Sequence, residues 1–228
     1  MKLIAILLSL LIEHFVDWLP GWRKLDWFYS YSAWWYGKLE GHESRNGPVG
    51  LIIILGTLMV VVWLAWAILN NIGGVLGFLF GVVVLLYCFG PGDLVTDVNR
   101  YLDAERQGNQ EEARGLAGEV VTGDVPVVAE ERAHAVKSAV FVSLNQRILA
   151  VIFWFLLLGP IGAALYRAAW LSKHNVSDLG EGYKSAASKL VAILDWPSAR
   201  LCVLAYALAG HFADTMMQFK SFDDFMRR

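Results

Sequence analysis

From Asn46 to Gly92 the chain contains no Asp, Glu, Lys, Arg or His. Such a run is about twice the ~20 residues that a helix needs to cross a ~30 Å hydrocarbon core. Its middle reads Ile68-Leu69-Asn70-Asn71-Ile72-Gly73-Gly74, where Asn and Gly are turn formers. The pattern predicts a transmembrane hairpin, Pro48–Leu69 outward and Val75–Gly90 back. Composition agrees: 57% of residues are hydrophobic and 18% charged, against about 25% charged in soluble domains.

The rest of the chain arranges itself around that hairpin. Leu3–Leu19 predicts a retained first span rather than a cleaved leader, because no small-x-small cleavage site follows it. Trp22–Leu39 is crowded with Trp and Tyr and has basic residues at its margins. Those rings prefer the headgroup boundary, so a helix along the membrane surface is expected, with an aromatic substrate cage as the sharper alternative. Asp93–Arg147 is mostly polar, and three helices are expected there: Asp93–Gln107, Glu111–Val121 and Glu130–Arg147. Ile148–Tyr166 is uncharged and predicts a further span, loosened at Gly159-Pro160-Ile161-Gly162. Leu201–Gly210 is too short to cross alone, and extending it back to Leu190 takes in Asp195, Pro197 and Arg200. A broken or re-entrant helix is expected there. The fold class is therefore an all-α membrane protein, a bundle of about four to five transmembrane or re-entrant helices with a helical cytoplasmic segment. Its parts are 1–92, 93–147 and 148–228.

Thirteen of the nineteen Lys and Arg fall on the side of the 93–147 segment if every span crosses. The positive-inside rule then makes that segment cytoplasmic, in a multi-pass protein of a bacterial inner membrane. A net charge of −2 without a basic stripe excludes nucleic acid as a partner. The expected partners are the lipid bilayer and, on the cytoplasmic side, a protein or an anionic metabolite. A homo-oligomer stays open. Cys88 and Cys202 lie in apolar runs and have no metal-binding spacing, so no metal and no cofactor is expected.

Few residues could carry chemistry. Glu13, Asp195, Arg200 and His211 are ionisable groups in or beside apolar segments. Charges at membrane depth usually face the bundle or a wet cavity, and these four are expected to form a structural or ligand-binding polar cluster. Asp93, Asp97 and Arg100 recur at helical spacing just past the hairpin. They read as a solvated acidic face with internal pairing, or as a ligand or Mg²⁺ site. Gly90-Pro91-Gly92-Asp93 fits the pattern of intramembrane aspartyl proteases, but no second Asp lies in a comparable motif. No phosphate-binding loop, zinc-protease helix or nucleophile elbow is present in the sequence, and catalytic residues are not assigned. A transporter is disfavoured because the halves show no internal repeat.

Leu194-Asp195-Trp196-Pro197-Ser198-Ala199-Arg200-Leu201, continued by Tyr206–His211, resembles the AmpE family of bacterial inner-membrane proteins. Glu13, Ala117-Gly118-Glu119 and Asn145-Gln146-Arg147 look like the same family. The resemblance implies an accessory or signalling role in cell-wall recycling and β-lactamase induction, and a further span beyond Arg228. AmpE is itself similar to the CobD/CbiB family, membrane synthases of cobalamin biosynthesis that attach an aminopropanol-type arm to cobyric acid. Their hallmark is a Glu-Asn-Thr-x-Asp-Gly run before the fourth span, a Gly-Asp-Pro near the N-terminus and paired Asp before the Ala-Arg-Leu element. Those places here read Phe141-Val142-Ser143-Leu144-Asn145-Gln146, Val16-Asp17-Trp18-Leu19-Pro20 and Val191-Ala192. The second resemblance thus implies the scaffold and Ala199-Arg200-Leu201 rather than the reaction. A membrane-embedded synthase or metabolite binder stands as the alternative function.

Overall fold

In a computed structural model the described residues are 2–15, 26–38, 48–89, 94–121, 125–174 and 180–208. All the regular structure among them is helical. The helices are α1 (Lys2–Phe15), α2 (Asp26–Lys38), α3 (Pro48–Ile72), α4 (Gly74–Cys88), α5 (Leu94–Arg106), α6 (Gln110–Val120), α7 (Ala129–Leu144), α8 (Ala150–Leu158), α9 (Pro160–His174) and α10 (Glu181–Leu208). One π turn, Asn145–Leu149, joins α7 to α8. The chain divides into two compact units, Met1–Gly90 with Ile148–Ser198, and Pro91–Arg147 with Ala199–Arg228.

The first unit is built on the charge-free hairpin. The turn is tighter than expected: Asn70, Asn71 and Ile72 stay in α3, and the break is the single extended residue Gly73. α3 runs for 25 residues, ~37 Å at 1.5 Å per residue. Only 17% of its most apolar window is buried, so it is not the core helix of a water-soluble fold. Exposed Ile52, Val60, Val61, Leu64 and Ile68 leave it a continuous apolar surface, which water does not tolerate on this scale. The helix Ala129–Leu158 is the other one long and apolar enough to cross a membrane. α1 divides its faces cleanly: Ala5, Ile6 and Ser9 are buried, while Leu3, Leu7, Leu11 and Phe15 are exposed.

Two expectations about the last third are corrected. The uncharged stretch from Ile148 to Tyr166 is not one span, because the helix ends at Leu158 and α9 starts at Pro160. Gly159 takes φ 69°, a left-handed value that costs other residues about 1 kcal/mol. A Cβ at Gly162 would sit 2.1 Å from the Trp154 carbonyl oxygen. Residues eight apart in one helix are ~12 Å apart, so α9 folds back along α8. Lys2 Nζ donates to the carbonyls of Leu156 and Leu157, at 2.9 and 3.2 Å, and caps the end of α8. The second correction concerns the broken C-terminal helix: α10 is continuous from Glu181 to Leu208 with Pro197 inside it. Proline removes one backbone donor, and side chains serve the neighbouring carbonyls. Trp154 Nε1 donates to Leu194 O at 3.0 Å, and Ser198 Oγ to Asp195 O at 3.0 Å.

In the second unit α5, α6 and α7 fall close to the three expected helices. Gly108, at φ 73°, ends the first turn of chain. Asn109 then caps α6, accepting from Glu112 N and donating to Glu112 Oε2 at 2.8 Å. Tyr101, Ala104, Ala113, Ala117 and Val136 form its core.

Candidate functional site

The buried charged residues described in the first unit, Arg167 and Asp195, lie on α9 and α10. Asp195 is 2% exposed, and its Oδ1 accepts from the Tyr166 hydroxyl at 2.6 Å. That length is short for a hydrogen bond between two oxygens. Arg167, next in sequence, is also buried, with its guanidinium 4.4 Å from the centre of the Trp170 ring. A helical turn toward the end of α9, the Ser172 hydroxyl accepts from Tyr183 at 3.1 Å and donates to Ala168 O at 2.9 Å. Tyr166 pairs with Asp195 and Ser172 with Tyr183, so α9 and α10 run antiparallel. Sequence periodicity places these groups inward because Ala163, Tyr166 and Ala169, like Tyr183, Ala187, Val191 and Leu194, recur at helical spacing and are buried. A buried carboxylate and a buried guanidinium are costly in an apolar bundle, and such pairs usually hold or orient something.

Of the residues singled out in the sequence, Asp195 is at the centre of this site. Arg200 is exposed, five positions further along α10, and Glu13 is half-buried near the end of α1. His211 and Asp93 lie outside the described residues; Asp97 is half-buried and Arg100 exposed on α5. The sequence reading missed Tyr166 and Arg167. An arginine directly after an uncharged run was the available signal. It also missed a polar centre in the second unit. There the Arg132 side chain is 1% exposed and bonds Glu105 Oε1 through Nε (3.0 Å) and Nη2 (2.6 Å), Val127 O through Nη1 (3.2 Å), and Gln110 through Nη2. The Tyr101 hydroxyl donates to the same Glu105 oxygen at 3.1 Å. The hydrogen bonds from Arg132 hold the Glu105 carboxyl below the usual range, and the same pairing raises Arg132. Burial pushes the Tyr101 phenol up. The signal was Arg132 in the apolar stripe Val128, Val136, Val140.

A sequence model described as CobD/Cbib protein matches residues 3–225. The chain belongs to the CobD/CbiB family. Among its relatives, the cobalamin biosynthesis protein CobD of Chromobacterium violaceum is 30% identical over 177 residues, 74% of this chain and 54% of that protein. Protein AmpE of Shigella flexneri is 26% identical over 189 residues, covering 76% and 66%. The probable CobD of Pyrococcus abyssi is 27% identical over 191 residues, covering 77% and 63%. The chain thus spans between about half and two thirds of the length of these relatives. No solved structure matches. Within this CobD/CbiB chain, no group of three or more His, Cys, Asp or Glu that could hold a metal is found among the described residues. The stretch in place of the synthases' acidic run, Phe141–Gln146, supplies no carboxylate. The described residues thus offer no carboxylate set to hold a Mg²⁺-bound nucleotide.

Proposed function

We propose that this chain is a non-catalytic accessory protein of the AmpE type, built on the CobD/CbiB scaffold and embedded by several helices in a bacterial inner membrane. The observation that carries the reading is the apolar, hydroxyl and amide side chains of Phe141–Gln146 where an amide-forming synthase needs acids to bind a metal. The 93–147 helices face the cytoplasm and meet a protein or an anionic metabolite. Lys184 lies one helical turn past Gly180, which bonds Tyr36 of α2, and adds a basic residue to the side already richest in them. Tyr166 ties α9 to Asp195 of α10, and Arg167, Glu13, Arg200 and His211 stand as candidate ligand or structural contacts. Expression in a bacterium lacking its own CobD tests the reading by corrinoid analysis. No restored cobinamide synthesis is expected, together with altered β-lactamase induction in a host whose AmpE is deleted.

Four of the relatives carry CobD in their names and match at 25–30% identity, which favours a second reading. In it the chain is part of a cobalamin-biosynthesis synthase, and the buried Asp195 and Arg167 orient an anionic substrate. Restored corrinoid synthesis, lost again in Asp195→Asn, would establish that reading and displace the first.

A further inference from the structure

The aromatic helix α2 has two faces. Phe28, Ser32 and Tyr36 are buried, one helical turn apart, while Trp27 and Trp34 remain 44% and 54% exposed. Its position is set by three hydrogen bonds. Trp27 Nε1 donates to the hydroxyl of Tyr87, the next-to-last residue of α4. The Tyr31 hydroxyl donates to Ile54 O at 3.0 Å and lies 2.6 Å from the Thr57 hydroxyl, in the first half of α3. The Tyr36 hydroxyl accepts from Gly180 N at 3.0 Å, just before α10. α2 therefore lies across the open end of the α3–α4 hairpin, opposite Gly73 and within ~14 Å of the start of α3. On its outer face Lys38 Nζ sits 4.1 Å from the centre of the Trp34 ring. At the end of α9, near the same open end, His174 stacks on Trp170 at 4.1 Å and Lys173 lies between them in sequence.

Indoles and snorkelling lysines at this depth meet lipid headgroups rather than acyl chains or bulk water. We propose that the outer face of α2 is a docking platform for anionic phospholipid headgroups of the adjoining leaflet. The Trp27 and Trp34 rings seat at the glycerol level and the Lys38 ammonium pairs with the lipid phosphate. Charge complementarity selects the occupant: Lys38 and Lys173 are basic, and α2 has no acidic residue after Asp26.

The test uses the full chain in nanodiscs of phosphatidylglycerol or phosphatidylcholine. A nitroxide at Ala33, on the exposed side, is expected to report headgroup depth by its collisions with oxygen and a nickel chelate. Values typical of bulk water or of the acyl core would overturn the platform. In native mass spectrometry Lys38→Gln is expected to retain phosphatidylglycerol about fivefold less than the parent, the effect of one basic residue near an anionic surface. Its retention of phosphatidylcholine should not change. Equal retention of both lipids by parent and variant, or displacement of phosphatidylglycerol by millimolar inorganic phosphate, would refute a lipid-specific surface. Trp34→Phe, which keeps an aromatic ring, guards against misfolding as the cause of any loss.

Discussion

Asp195 accepts a 2.6 Å hydrogen bond from the Tyr166 phenol inside a packed bundle. Tyr166→Phe leaves that oxygen without this donor and should lower stability by about 1–3 kcal/mol. Asp195→Asn, which keeps the shape and removes the charge, should cost less than Asp195→Ala. Melting temperatures in nanodiscs separate the three variants. Arg132→Ala should cost the second unit about 3 kcal/mol, because its guanidinium is buried against Glu105. Glu105 also carries a pH dependence. Its folded pKa is depressed, so its contribution is present above the ordinary carboxylate value and is lost as pH falls through the depressed one. Amide exchange in 94–121, corrected for intrinsic rates, should lose protection on acidification, and Glu105→Gln should flatten that slope. Charged residues such as Asp195 could be picked out in the sequence because a carboxylate in an apolar run is conspicuous. Tyr166 could not, since a phenol among Leu and Ala reads as ordinary core and its partner is 29 positions away.

Helices with their own local signals were readable. The Gly108-Asn109 break and the 93–147 helices follow from a left-handed glycine, an amide cap and an apolar stripe, all within a few residues of one another. The α8–α9 reversal was not, because hydropathy is the same on both sides of Gly159. Only the approach of Gly162 to Trp154 distinguishes a fold-back from a kink. Gly162→Leu must push the two helices apart and is expected to destabilise the first unit by about 1–3 kcal/mol, with increased exchange in α8 and α9 as the readout. The continuity of α10 was hidden for a related reason: proline argues for a break unless a distant side chain offers a donor. Trp154→Phe removes that donor to Leu194 and should cost about 1 kcal/mol. Pro197→Ala restores a backbone N–H and should leave the melting temperature unchanged or higher.

At the scale of the molecule, the exposed faces of α1, α3 and α4 require a hydrocarbon environment. The protein is expected in the carbonate-resistant membrane fraction and should aggregate when detergent is withdrawn. Recovery as a monodisperse species in plain buffer would contradict this. The fold-back at Gly159 then bears on how such a chain is threaded. Hydropathy counts 148–166 as one straight rod, whereas α8 and α9 run out and back about Gly159. The Gly180 N–H consequently meets the Tyr36 hydroxyl just before α10 begins, and a map drawn from apolar stretches alone would place those two residues at opposite ends of the bundle.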